Sequence, residues 1–287
     1  MPQRSVRAVH ESIRDDIGDL VTRRPLPGAR APQIDPFLFL NHHGPQIYPP
    51  HNRGLPFGPH PHRGFETVTF ILEGELGHYD SGGHASVIRA GGVQWMTAGS
   101  GLIHAELSPP EFKEQGGPME ILQLWVNLPS RLKMSAPAYT GLQRQDIPAT
   151  GASEGAMLNL IAGKFNGVSG PTNTLSGHFM ATVEMKSGAR ATLPAPRGRN
   201  VFFYVARGDV CVAGVDVPHW RLVEFNDDGD EIVVETRDMA FLLYGHGEPI
   251  NEPVFAHGPF VMTTREEILQ AIQDYHAGKF GPEPAVG

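Results

Sequence analysis

Glycine and proline interrupt this chain so often that only short extended segments fit between them. There are 34 glycines and 26 prolines among 287 residues, more than a fifth of the total, with no collagen-like period. Glycine supplies the positive φ and proline the fixed φ that tight turns need, so the pattern predicts many short strands joined by turns. A hydrophobic fraction of 40% is enough for packed cores, and the 19% of charged residues are too few for a disordered chain. The expected class is all-β, as one large domain or two ordinary ones.

Charge narrows the functional classes. The net charge is −8 and no basic face is visible, so direct nucleic-acid binding is not expected. Cys211 is the single cysteine. An intramolecular disulfide is therefore impossible, and a reducing, cytoplasmic location is expected. Cys211 itself reads as a small buried apolar residue. The first residues, MPQRSVRAVHESIRDD, contain no apolar core segment, so no secretory leader is expected. No apolar run approaches the ~18 residues of a membrane span.

Two short runs carry the chemistry, His60-Pro61-His62 and His104-Ala105-Glu106. Each sets two ligand-type side chains at i and i+2, which share one face of a strand roughly 6.5–7 Å apart. Two such strands side by side converge three imidazoles and a carboxylate on one point. That donor set suits a first-row transition ion such as iron, copper, nickel or zinc. One ion per chain is expected, with His60, His62, His104 and Glu106 as ligands. Eight of the 14 histidines fall within residues 42–104. Among them His42, His43, His51, His78 and His84 stand outside the paired pattern and read as turn or surface residues.

Around these runs the chain divides into strand-like segments. Residues 1–36 read as a polar leader with edge strands, and 34–40 as a short apolar strand. Residues 41–63, with six prolines and five histidines, read as a loop. Residues 64–73 are rich in Thr, Val, Ile and Phe and end at Gly74, a strand by composition. Its inward face is expected to continue from His60 and His62 through Glu66, Val68, Phe70 and Leu72. Further strands are expected at 85–89, 93–97, 102–107 and 120–128, with Trp95, Met96, Phe70 and Leu102 as core. Residues 129–155 read as a linker. Strands follow at 157–162, 178–185, 201–206, 209–213, 221–225, 230–235 and 239–244. Thr264-Arg265-Glu266-Glu267 is a capping box, and Ile268, Ile272 and Tyr275 at i, i+4, i+7 predict one C-terminal helix that lays its stripe on a sheet.

The halves repeat. Gly54 and Gly74 stand twenty residues apart, as do Gly188 and Gly208, and Phe70–Glu73 matches Tyr204–Arg207 in character. In this alignment Pro194 and Pro196 take the places of His60 and His62. Asn200 takes that of Glu66, and Phe241 and Leu243 lie opposite His104 and Glu106. A duplicated fold with one live site is expected, as domains 1–135 and 136–287, the second including the helix.

The segment Gly54-x5-His60-x-His62-x3-Glu66 resembles the first cupin motif, with the closing glycine one position late. HPHRGFETVTFILEG (60–74), QWMTAGSGLIHAE (94–106), LQLWVNLP (122–129), DPFLFL (35–40) and FVMTTREEI (260–268) resemble the pirin family. The resemblance spans nearly the whole chain. It implies two cupin-type antiparallel β-barrel or sandwich domains with a short C-terminal helix. It also implies a mononuclear iron, as Fe(II), on His60, His62, His104 and Glu106 in the N-terminal domain, with Cu, Ni, Mn or Zn as alternatives. In many cupins the residue at Glu66 binds the ion. Four residues of straight strand put it about 13 Å from His62, so Glu106 is preferred as ligand and Glu66 is given a supporting hydrogen bond.

Two functional classes follow. The resemblance implies a quercetin 2,3-dioxygenase, which takes a small aromatic substrate and O2 and uses Glu106, ahead of Glu66, as the base. It equally implies an iron-binding, redox-sensitive regulator that works through a protein partner. A purely structural ion is the third option, and structural zinc usually recruits cysteine.

Overall fold

The computed structural model describes residues 2–28 and 31–286. Strands dominate, as the turn-rich composition predicts, and they form two sandwiches of closely similar topology. In the first, a four-stranded sheet runs Phe57–His62, Leu102–Leu107, Glu75–Asp80, Ala85–Arg89 in spatial order. A seven-stranded sheet runs Ala138–Leu142, Val93–Thr97, Phe65–Glu73, Gly117–Asn127, Phe37–Tyr48, Thr22–Leu26, Ile13–Arg14. In the second, the four-stranded sheet is Arg190–Pro194, Glu231–Thr236, Val210–Val212, Val215–Val217. The seven-stranded sheet is Val6–Glu11, Arg221–Phe225, Asn200–Arg207, Ala240–Gly247, Phe179–Met185, Ala156–Ala162, Ala149–Ser153. The two orders agree except at one outer strand, since Ala138–Leu142 comes last along the chain in the first sandwich and Val6–Glu11 comes first in the second; this is the duplicated fold expected from the repeat and the cupin type that the resemblance implies.

Each core lies between its own two sheets. In the second sandwich Leu193, Ile232 and Val234 of the short sheet pack with Val201, Phe203 and Leu242 of the long one. In the first, Leu76 and Ile88 meet Ile71 and Ile121. Trp95, Met96, Phe70 and Leu102 are all buried, as expected.

Several expectations are corrected. Residues 41–63 are not a loop: the strand Phe37–Tyr48 runs through His42 and His43, and Phe57–His62 is a second strand. The span 129–155 is not a bare linker, since it holds the strands Ala138–Leu142 and Ala149–Ser153. The compact units also differ from 1–135 and 136–287. One comprises Arg14–Arg23, Phe39–Arg144 and Ile250–Gly287, the other Met1–Ile13, Arg24–Leu38 and Gln145–Pro249. Strand pairing is the reason at one end, because Val6–Glu11 joins the sheet edge at Arg221–Phe225. Side-chain packing is the reason at the other. The helix Arg265–His276 buries Ile268 and Ala271 with Ile103, Phe260 and Phe280 of the first sandwich. That helix has the capping box expected, with Thr264 accepting from the Glu267 amide and Glu267 accepting from the Thr264 amide. Cys211 is half-buried rather than buried.

The inward face of Phe65–Glu73 is also the opposite of the one expected. Thr69 and Ile71 point between the sheets, and Glu66, Val68 and Phe70 point away from it. The strand pair does not run straight from His62 into Phe65. At Gly64, with φ of +90°, the chain leaves the short sheet and enters the long one, which inverts the side-chain alternation. Only glycine fits there, since a Cβ would sit 2.0 Å from the Val261 carbonyl oxygen.

Candidate metal centre

The antiparallel pairing of Phe57–His62 with Leu102–Leu107 sets His104 directly across from His60 and Leu102 across from His62. One potential ligand nitrogen from each of His60, His62 and His104 lies within 4.8 Å of the other two. The Nε2 atoms of His60 and His104 are 3.0 Å apart. Two nitrogens bound side by side to one ion at ~2.1 Å stand about 3 Å apart, so this pair already has the spacing of metal ligands.

The tautomers agree. His60 Nδ1 lies 2.7 Å from the Gly58 carbonyl and His62 Nδ1 lies 3.3 Å from the Pro259 carbonyl. A carbonyl only accepts, so each Nδ1 carries the proton and each Nε2 keeps a bare lone pair. Burial, reinforced by the His60 charge, pushes the His62 pKa down to about 3. Burial, then the neighbouring His62, His60 and His78, holds His104 well below the ordinary histidine value. Imidazole nitrogens that converge in this way, two of them on buried rings, are a donor set that a transition ion completes.

Glu106 stands apart from this cluster. Its Oε1 accepts from Thr69 Oγ1 (3.1 Å) and from Gln94 Nε2, and its Oε2 accepts from Gln123 Nε2 (2.6 Å). All three donors are neutral, and all come from the inner face of the long sheet. Glu66 is buried and turned away from the histidines. Its Oε1 accepts from Thr97 Oγ1 at 2.7 Å, and burial raises its pKa. The supporting hydrogen bond expected of Glu66 therefore goes to Thr97 and to no ligand.

The unpaired histidines divide. His51 and His84 are exposed, as expected. His42, His43 and His78 are buried, which corrects their surface reading. His42 pairs with Glu120 at 2.9 Å, His43 with Thr22 at 2.9 Å and His78 with Asp80 at 3.0 Å. Beside His62 lie Phe65 and Trp125, with ring centroids 5.0 and 5.3 Å away, and Phe39 leans on Trp125 at 4.8 Å. Trp125 and Phe39 are half-buried and give the centre a flat apolar flank. Sequence reasoning missed Thr69, Gln94, Gln123 and Trp125. One signal was present: Gln123 and Trp125 sit at i and i+2 and so share a strand face.

Two clefts lie elsewhere. One of about 830 Å³ is lined by Arg190, Asp209, Cys211 and Glu235, and one of about 380 Å³ by Glu75, Arg89 and Phe112.

A duplicated cupin with one histidine-lined barrel is the class that this fold and this site define. Residues 19–126 match the family model described as pirin, and residues 180–281 match the pirin C-terminal cupin domain. The chain belongs to the pirin family. A Pseudomonas aeruginosa protein provisionally named a quercetin 2,3-dioxygenase is 42% identical over 248 residues, covering 86% of this chain and 87% of that protein. Human pirin is 38% identical over 274 residues, 92% of this chain and 89% of the human one. Among solved structures, a quercetin 2,3-dioxygenase of Acinetobacter baumannii superposes with a TM-score of 0.89 at 35% identity, over 98% of this chain and 99% of the other. No helix among the described residues is long and apolar enough to cross a membrane.

Proposed function

We propose that this chain is a metal-dependent dioxygenase of the quercetinase type, which opens a flavonol-like aromatic ring with O2. The observation that carries the reading is the convergence of three imidazoles, with the Nε2 atoms of His60 and His104 3.0 Å apart. His60, His62 and His104 would hold the ion, taken as Fe(II), and Glu106 would complete the set through one carboxylate oxygen. Bound there, iron supplies a redox-active centre with positions left for substrate and dioxygen.

The remaining work belongs to the chain. Glu106 takes the proton of the substrate hydroxyl, and Gln94, Thr69 and Gln123 fix the direction of its carboxylate. Neutral donors orient that carboxylate without neutralising its charge. Glu66 is not a candidate base, because it projects from the other face of its strand. Trp125 and Phe39, backed by the buried Phe65, offer an apolar wall on which an aromatic ring stacks. The names of the Pseudomonas and Acinetobacter relatives support the same reaction.

The test is aerobic incubation of iron-loaded protein with quercetin, followed by absorbance. Loss of the flavonol band in the wild type and its persistence in Glu106→Gln is the expected result. An unchanged band with iron, copper, nickel and manganese forms alike overturns the dioxygenase reading. A second reading is a redox-sensitive regulator that works through a protein partner. Stronger capture of a protein partner by ferric than by ferrous protein supports it, and equal capture counts against it.

A further inference from the structure

The three candidate ligands are not supported alike. His60 and His62 each rest Nδ1 on a backbone carbonyl. His104 does not: its Nδ1 is buried with no hydrogen-bond partner. With Nε2 turned to the ion site, the proton of neutral His104 belongs on Nδ1, which makes that atom a buried donor without an acceptor.

The neighbouring strand holds the complement. Glu75–Asp80 pairs with Leu102–Leu107 so that Asp80 stands across from His104 and His78 across from Glu106. His78 Nε2 donates to Asp80 Oδ2 at 3.0 Å. In the neutral ring that contact leaves Nδ1 a bare lone pair, and this nitrogen is also buried without a partner. The rings of His78 and His104 are 5.5 Å apart between centroids. Two imidazoles joined by one N–H···N hydrogen bond have centroids about 5 Å apart, so the separation of 5.5 Å is close to that spacing. Tyr139 stacks on His78 at 4.0 Å and 9°, and Ser86 holds the Tyr139 hydroxyl at 2.6 Å, so the His78 plane is fixed. Asp80 is fixed as well, because its Oδ1 accepts from the amides of Gly82 (2.9 Å) and His84 (3.0 Å).

We propose that Asp80 and His78 are positioning residues for His104. The Asp80 carboxylate accepts from His78 Nε2–H, and His78 Nδ1 accepts, directly or through one water, from His104 Nδ1–H. The inference rests on His60, His62 and His104 being a metal site. It adds that one ligand of the three is backed by an ionised side chain, which orients its ring and raises its donor strength. The second sandwich has no such device, since Val212 stands where His78 does.

Asp80→Asn tests the direction of the chain. The asparagine oxygen can still receive the Gly82 and His84 amides, but its nitrogen now donates toward His78. His78 must then carry its proton on Nδ1, which opposes the proton on His104. Nickel(II) affinity, measured against a chromophoric chelator, is expected to fall roughly 10–100-fold. In the cobalt(II)-loaded protein one of the shifted exchangeable imidazole N–H signals moves or vanishes while the other two stay. His78→Phe keeps the ring on Tyr139, deletes the acceptor and is expected to show the same loss, which decides the matter should Asp80→Asn fail to fold. Wild-type nickel affinity and an unmoved cobalt spectrum in both variants overturn this inference alone. A wild-type chain that binds no nickel overturns the underlying metal reading instead.

Discussion

The two sandwiches share one topology but for an outer strand and differ in what fills them. The pairing His60 with His104 in the first corresponds to Leu193 with Ile232 in the second. Following that register, Ala195 stands for His62 and Val234 for Glu106, and all four counterparts are buried in the apolar core. The polar residues that surround Glu106 change together. Phe203, Val223 and Tyr244 occupy the places of Thr69, Gln94 and Gln123. This corrects the expected correspondence, which set Pro194 and Pro196 against the two histidines and Phe241 and Leu243 against His104 and Glu106. The second sandwich has one more residue between its short and long sheets, and Phe241 lies on the strand equivalent to Gly117–Asn127. A carboxylate in a barrel needs donors around it, and without it the same positions are filled by hydrocarbon. Each barrel also anchors its end with a buried arginine. Arg63 donates to the Ser100 carbonyl and to Asp274, and Arg4 donates to the carbonyls of Ala195, Pro196 and Gly229.

The comparison breaks most visibly at His104. Replacing it by its counterpart in the other barrel, His104→Ile, is expected to lower bound metal from about one ion per chain to under about a tenth, with an unchanged far-ultraviolet spectrum. Metal analysis of protein purified without chelator measures this. Full metal content in the variant would mean that the ligand set is wrong.

Gly64 and its counterpart Gly198 sharpen the contrast in backbone crowding. Both have positive φ, +90° and +75°. A Cβ at Gly64 meets the Val261 carbonyl oxygen at 2.0 Å, whereas nothing lies within 4 Å of one at Gly198. Gly198→Ala is expected to cost ~1–2 kcal/mol, the left-handed strain alone. Gly64→Ala adds a backbone clash and is expected to cost at least about 3 kcal/mol. Urea unfolding of both variants measures the difference, and equal losses would contradict the crowding at Gly64.

One further effect is common to both barrels. Burial lowers His62 to about 3 in the first, and His178 to about 4 and His246 to about 3 in the second. Above pH ~6.5 these rings are neutral both folded and unfolded, and their contribution to stability is fully present. Below it the unfolded chain binds protons that the folded chain does not, so stability falls as pH drops toward 4 and then 3, by up to ~1.4 kcal/mol per pH unit per histidine. The melting temperature of metal-free protein is expected to be level from pH 8 to 7 and to fall below 6.5. Saturating nickel raises it at pH 7 and steepens the fall, because ligation requires deprotonated rings. A melting temperature independent of pH down to 5 would rule out neutral buried histidines.

The cluster of His60, His62 and His104 was legible because strand spacing alone puts i and i+2 on one face. The surroundings of Glu106 were not, since Thr69, Gln94 and Gln123 meet it only when two sheets close, a contact that no local period encodes. The inverted face of Phe65–Glu73 was misread for a similar reason: a bend at Gly64 changes the side-chain count without changing the composition. Proline and histidine density hid the continuation of the strand Phe37–Tyr48 beyond Leu40, where tertiary pairing overrides weak β-propensity. The capping box Thr264–Glu267 gave the helix, but an amphipathic stripe states only that one side is covered. It could not name Ile103 and Phe280 as what covers it.

Pro259 accepts from His62, the Val261 amide donates to the Arg63 carbonyl, and Lys133 Nζ donates to both Gly64 and Val261. The bend that carries two of the three imidazoles is thus braced by a segment that leaves the ribosome nearly two hundred residues later. During synthesis the histidine pair emerges early and stays unbraced until the tail arrives. The bend is therefore complete only once residues 259–261 have joined it, and a chain cut short before residue 259 would leave the His62 ring without its carbonyl partner.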